Sequence, residues 1–530
     1  MNRKLLVLPA VMGLAAPVLA GCGDSNAGGG GGDTIVVGTT DHIAVSKELP
    51  SPVDPATSYD GGTYTFFNNT FQMLLGYQRS ATTPSPDAAK SCEFSDTKSE
   101  TYRCTLRDGL TFSNGHALTS EDVKFSIDRV IKIKSDYGPV SLLSNIETVE
   151  APDEKTVVFH LKASDATFPY KLATPAAAIV DSEVYPADKP LEGLQMAGSG
   201  PYKLDSWEGD KAVLSANPSY KGLVGKLNNS KVEVRFFETA DAMQKALADG
   251  QIDMVNRTFT ADQIDSIQQG KVPGVKLTEA SSPSVRYMFF NVDDPTVKDK
   301  AVREAIAHVI DRDALTRDVT HRTATPLFGA VPAGIVGHSN SYFNMYGDPS
   351  RNKAAEALSA AGVSTPVKLT FTYTTDRPAT PNKEEAVALQ KQLNASGLFD
   401  VTLKGAPWKT FLPGAVKGQW AAYSLSWLPD FPDPDTYIAP FFAEGFLNLN
   451  YAGGDIKSSL LPSTRQTADR GQTDKDFLQM QDILARDLPM IPLYQDKQYV
   501  VTRENITGAE WLLNSSSTAQ FWELGRGVAG

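Results

Sequence analysis

The chain has 530 residues, more than one hydrophobic core holds, so two or more lobes are expected. Its charged fraction of 21% and hydrophobic fraction of 41% are those of an ordinary soluble globular protein. The net charge of -12 excludes nucleic acid and anionic lipid surfaces as natural partners, because like charges repel.

Arg3 and Lys4 precede an apolar run over residues 5–20, broken by Pro9 and Pro17. The run is shorter than the ~20 residues a transmembrane helix needs and reads as a signal peptide over residues 1–21. Leu19-Ala20-Gly21-Cys22 resembles the lipobox of bacterial lipoproteins in all four positions. That resemblance implies lipidation of the Cys22 sulfur, with acyl chains that each bury ~0.8 kcal/mol per CH2 in a membrane. Residues 22–33 then read as the lipidated cysteine and a Gly-rich tether.

Folded sequence begins near Thr34 with a β-rich run ending in Gly38-Thr39. Residues 63–77 carry Phe66, Phe67, Phe71, Leu74 and Leu75 at helical spacing. Cys92 and Cys104 lie symmetrically about Lys98 in a segment that reads as a hairpin, which predicts a disulfide across adjacent strands. Asp108-Gly109 and Asn114-Gly115 are tight-turn dipeptides, and Thr119 or Ser120 can cap a helix that opens with Glu121 and Asp122. Residues 149–161 read as an alternating strand, with Pro152-Asp153 as a turn before it. Gly198-Ser199-Gly200-Pro201 marks a sharp bend into another strand. Helices are expected over 240–248, 300–310, 353–361 and 383–393, with strands over 286–291 and 367–374 and a polar extension at Asp311-Arg312-Asp313. This alternation predicts a sheet flanked by helices.

Chemistry is hard to find. None of the six histidines is paired at metal-site spacing, and HExxH, Walker A, CxxC and Gly-x-Ser-x-Gly patterns are all missing. No cofactor, no metal and no enzymatic activity are expected. The distinctive stretch is residues 420–442, where Pro429, Pro432 and Pro434 forbid helix and regular sheet. Trp427, Phe431, Asp430, Asp433 and Asp435 therefore sit on or beside a stiff loop after a strand. Aromatic walls with a carboxylate suit a ligand with a cationic amine and an apolar body; packing of the rings on the sheet is the competing explanation.

Four stretches carry a resemblance to extracellular solute-binding protein family 5, the peptide and nickel binders of ABC importers. They are residues 102–128, Gly198-Ser199-Gly200-Pro201-Tyr202, Phe290-Asn291 with residues 302–312, and Trp427-Leu428-Pro429-Asp430-Phe431-Pro432-Asp433-Pro434. The resemblance implies an α/β fold of two lobes joined by hinge strands, with a subdomain inserted in the N-terminal lobe. Mapped onto this chain, lobe I takes residues 34–62, 190–282 and 497–530, the insertion 63–189, and lobe II 283–496.

The resemblance further implies that Asp430 pairs with a peptide's α-ammonium, that Trp427 and Trp408 wall the cleft, and that Tyr287 and Asn291 contribute near the hinge. At the positions where some relatives carry basic residues between the two tryptophans, to meet the ligand's carboxylate, none is seen; Ala415 and Ser424 lie in that stretch. The partners implied are a di- or oligopeptide, an ABC permease with its ATPases, and a membrane reached through Cys22, the protein acting as a monomer on the outer face of the cytoplasmic membrane. Alternatives on the same scaffold are an oligosaccharide or metal-chelate binder and, more remotely, a surface hydrolase.

Overall fold

The computed structural model describes residues 34–527 apart from 48, 258, 378 and 379; the signal segment, Cys22 and the tether lie outside the described residues. Two long antiparallel strands, Val275–Phe290 and Met490–Arg503, organise the molecule. Val275 faces Arg503 and Ser281 faces Lys497; the register then slips, and pairing resumes with Val285 opposite Gln495. Pro283 sits in the slip, where a residue without an N–H costs no ladder bond. Its carbonyl accepts from the Tyr437 hydroxyl at 2.8 Å, and Ser284 Oγ donates to Asp496 at 2.6 Å.

The two sides of the slip have different neighbours. On one side Met490–Arg503 pairs with Met254–Asn256, and the sheet continues through Thr34–Thr39, Lys231–Phe236, Lys211–Ala216 and Tyr202–Glu208. On the other, Val275–Phe290 pairs with Ala422–Trp427, followed by Val367–Thr374 and Phe399–Ala406. With Ala324–Pro326 at the flank this is one 11-stranded sheet whose halves share two strands, a two-lobed α/β fold.

The two-residue period of a strand sorts its side chains. Val285, Tyr287 and Phe289 enter one core, with Tyr423, Phe411 and Phe441; Met288 and Phe290 enter another, with Ile306, Leu369 and Leu389. Each such side chain contributes ~1.5–3 kcal/mol on full burial. Arg286 shares the second face and is buried, so its charge needs partners. Glu385 supplies them at 2.9 Å, with Asn382 and Ser424 each also at 2.9 Å, and Tyr494 donates to the same Glu385 at 2.6 Å.

A separate four-stranded sheet, Ala89–Phe94, Thr101–Leu106, Thr156–Leu161 and Ile146–Asp153, forms the inserted subdomain with the helix Ser120–Ile133. Cys92 lies opposite Cys104 in this sheet and is joined to it by a disulfide. Thr119 and Asp122 form a reciprocal capping box at the helix start.

Three local expectations change. The helix expected over 63–77 is Gly61–Thr70. It stops where Gly200 N donates to the Thr70 carbonyl at 2.9 Å, and a Cβ at Gly198 would collide with that same carbonyl. Residues 149–161 are not one strand but a turn and two strand arms, because Asp153 Oδ1 accepts the N–H groups of Lys155 and Thr156 at 2.9 Å and reverses the chain. The polar extension after residue 310 is a helix, Arg312–Asp318, capped by Asp311 onto Ala314 N at 2.8 Å.

The last feature positions the site. Val367–Thr374 has parallel partners on both sides, Phe399–Ala406 and Ala422–Trp427. The chain returns through helix Asn382–Ala395 to the first, then crosses through helix Trp408–Val416 to the second. Where consecutive connections depart to opposite sides, a crevice opens beyond the C-terminal ends of the strands.

Candidate functional site

Three segments leave the sheet at that edge: Asp376-Arg377 after Thr374, Pro407-Trp408 after Ala406, and residues 428–434 after Trp427. They are tied together. Asp376 accepts the Trp408 backbone N–H at 2.6 Å, and the Arg377 guanidinium stacks 4.0 Å from the centre of the Trp408 ring. Trp427 donates its indole N–H to the Thr436 carbonyl at 2.7 Å, which fixes the ring against Phe441 and Phe446. The two tryptophans are the ends of one series of ring contacts, running from Trp408 through Phe411, Tyr423, Phe289 and Phe441 to Trp427 at centroid spacings of 4.9–6.0 Å.

The proline-rich loop carries three carboxylates in three environments. Asp433 is buried and receives a two-point bond from Arg470 at 2.7 and 2.9 Å. Asp435 receives the same from Arg465 at 2.9 and 3.0 Å, and Arg465 also reaches Glu444 at 2.6 Å. Phe431 is buried in the core of the inserted subdomain, 5.9 Å from the Tyr170 ring. The loop is therefore fastened at both carboxylates and at its aromatic residue.

Asp430 differs. It is half-buried, and among the described residues its one hydrogen-bond partner is the Tyr59 hydroxyl, which donates to Oδ1. No cation pairs with it there, since the nearby Lys171 is bonded to Asp165 at 2.7 Å. Burial raises its carboxyl above the ordinary value; the Tyr59 bond and the Lys171 charge offset this only in part. A half-buried carboxylate with one oxygen unbonded has capacity to accept from a cationic donor.

The other residues expected from sequence divide. Tyr287 is fully buried, donates its hydroxyl to the Ala330 carbonyl and packs edge-on against Phe289 and Phe441, so it supports the aromatic layer rather than facing a ligand. Asn291 lies beyond Phe290, which pairs with Ala422, whereas Trp427 pairs with Val285. Six residues of strand place it roughly 20 Å from Trp427. Its amide is engaged by Gly418 and Asn450 at 2.8 and 2.7 Å. On the strand near the hinge, Tyr287 thus sits beneath the aromatic layer and Asn291 at the other end of the pairing with residues 422–427.

Tyr59 and Arg377 are absent from the sequence reading. Nothing in spacing joins Tyr59 to a residue 371 positions away. Arg377 had a usable signal, since it follows a strand end, but the reading sought basic residues only between Trp408 and Trp427. Among the described residues no group of three or more His, Cys, Asp or Glu is arranged to hold a metal ion, and no helix is long and apolar enough to cross a membrane.

A shared pair of long strands, an inserted subdomain and a turn of parallel strand order at Val367–Thr374 define a two-lobed solute-binding fold. The chain belongs to bacterial extracellular solute-binding proteins, family 5, whose middle-region model matches residues 83–447. It is 28% identical over 493 residues to the Escherichia coli K12 protein named probable D,D-dipeptide-binding periplasmic protein DdpA, covering 88% of this chain and 92% of that one. It is 21% identical to the dipeptide-binding protein DppE of Bacillus subtilis 168, covering 87% of this chain and 88% of the relative. Among solved structures, HbpA2 from Haemophilus parasuis superposes with a TM-score of 0.81 at 21% identity, over 93% of this chain and 99% of that one. DppA from Helicobacter pylori in complex with the peptide STSA gives 0.69 at 22% identity, over 93% and 98%.

Proposed function

We propose that the protein is the extracytoplasmic capturing component of an ABC importer and that it binds peptides with a free amino terminus in the crevice between its lobes. Asp430 meets the ligand's ammonium, Trp427 and Trp408 wall the chain, and Arg377 meets the carboxylate end. The observation that carries this reading is the contrast within one loop: Asp433 and Asp435 each hold an arginine, and Asp430 holds only a neutral phenol. Relatives named for dipeptides, di- and tripeptides and oligopeptides support the same ligand class.

Lobe I then comprises residues 34–62, 190–282 and 497–530, the insertion 63–189 and lobe II 283–496; the register slip between Ser281 and Val285 supports the hinge at that place. Closure on a ligand holding both lobes is a population shift, and a micromolar ligand supplies about 8 kcal/mol for it. Cys22 anchors the chain by lipid at the outer face of the cytoplasmic membrane, where the monomer passes its cargo to the permease; Leu19-Ala20-Gly21-Cys22 supports that. The protein transfers its ligand unchanged. Calorimetry against a mixed panel of small peptides and oligosaccharides tests the ligand class: saturable binding of peptides is expected, and binding confined to sugars would overturn it.

A further inference from the structure

Asp60 caps the helix Gly61–Thr70, its Oδ1 accepting from Gly62 N and Thr63 N at 2.9 and 3.0 Å. The residue before a cap and the fourth residue of the helix commonly pack together as a hydrophobic staple. Here those residues are Tyr59 and Tyr64, with ring centroids 5.6 Å apart. A device that usually fixes the chain's entry angle therefore sets two phenols side by side. Tyr59 donates to Asp430; the Tyr64 hydroxyl is buried and bonds to nothing among the described residues. Burial pushes the Tyr64 phenol well up, and the neighbouring Tyr59 and Asp430 add to the shift, so the three groups share one electrostatic environment. An unsatisfied buried hydroxyl costs ~1–3 kcal/mol, a cost that a ligand's donor would relieve.

We infer that Tyr64 is a specificity-determining residue of the ammonium subsite, accepting a second N–H from a primary amine whose first N–H goes to Asp430. This rests on the reading of Asp430 given above and adds to it the degree of substitution of the amine. An ammonium carries three N–H donors. Asp430 Oδ2 takes one, Tyr64 Oη takes another, and Tyr59 holds Oδ1 so that Oδ2 faces the ligand. A dimethylated amine keeps its charge and its one N–H for Asp430 and loses the donor for Tyr64, whereas a monomethylated amine still has a donor for each. The subsite therefore counts donors as well as charge, and it selects peptides whose amino terminus carries at least two N–H donors.

The test takes the tightest binder of a dipeptide panel in three forms, with a free amine, an N-methyl and an N,N-dimethyl amine, and measures each by calorimetry. Wild type is expected to bind the free amine about tenfold more tightly than the dimethyl form, the worth of one charge-assisted hydrogen bond. Tyr64→Phe should weaken the free amine about tenfold, leave the dimethyl form unchanged, and raise the Tm of the unliganded protein by removing the unsatisfied hydroxyl. Equal weakening of all three forms, or a discrimination that Tyr64→Phe leaves intact while Asp430→Asn abolishes binding, would overturn the role of Tyr64 alone. Asp430→Asn that fails to weaken any of the forms would overturn the underlying reading of Asp430.

Discussion

Tyr59 and Asp430 lie 371 positions apart in the chain and share one hydrogen bond. The phenol is neutral, so it orients the carboxylate without neutralising it. A few residues further on, Asp433 and Asp435 pair with Arg470 and Arg465. The loop thus holds two carboxylates for its own rigidity and leaves one for a guest.

Holding Asp430 ready weakens the unliganded fold. Its folded carboxyl lies above the ordinary value, chiefly through burial, so the folded state takes up a proton more readily than the unfolded chain. The destabilisation is full above that raised value, shrinks as pH falls through it and is gone below the unfolded value near 3.8. Asp430→Asn should therefore melt at a higher temperature than wild type at pH 7, with the difference closing towards pH 4, as thermal scans across pH would record. Peptide affinity of wild type should fall over the same acidic window, because the proton competes with the ammonium. A variant less stable than wild type at neutral pH would contradict this.

Asp433 and Arg470 form a buried pair, and removing one member strands the other's charge. Arg470→Ala should cost about 3–5 kcal/mol in urea unfolding. The same variant frees the loop that presents Asp430, so ligand affinity should fall even where the fold survives. A loss under ~1 kcal/mol would show that the pair does not brace the loop.

Arg377 stacks on Trp408 just beyond the C-terminal end of the strand Val367–Thr374. Arg377→Ala should weaken peptides with a free C-terminal carboxylate about tenfold or more and leave their C-terminal amides within about twofold. Parallel titrations of acid and amide forms decide this, and equal losses for both would remove Arg377 from ligand recognition.

Much of this architecture was legible in local chemistry. The capping box at Thr119 and Asp122, the Cys92–Cys104 register and the strand Val367–Thr374 each depend on neighbouring residues, which spacing reports directly. The proline-rich loop was equally visible, because proline restricts its own backbone and its predecessor's. Readings failed where a distant segment decided the outcome. Gly198 and Gly200 end the helix at Thr70 from far along the chain, and Tyr59 reaches Asp430 across the whole fold. Tyr287 and Asn291 sit on a strand that does approach the site. Only the register with residues 422–427 reveals that one lies beneath the aromatic layer and the other at the far end.

The most direct measurement is calorimetric titration of wild type and Asp430→Ala with one bound peptide and its N-acetylated form. The account predicts that wild type strongly prefers the free amine, and that the substitution weakens the free form by at least about thirtyfold, the ~2 kcal/mol lower bound for truncating a buried charge pair, while barely altering the acetylated form. Equal weakening of both forms, or none of either, would contradict it.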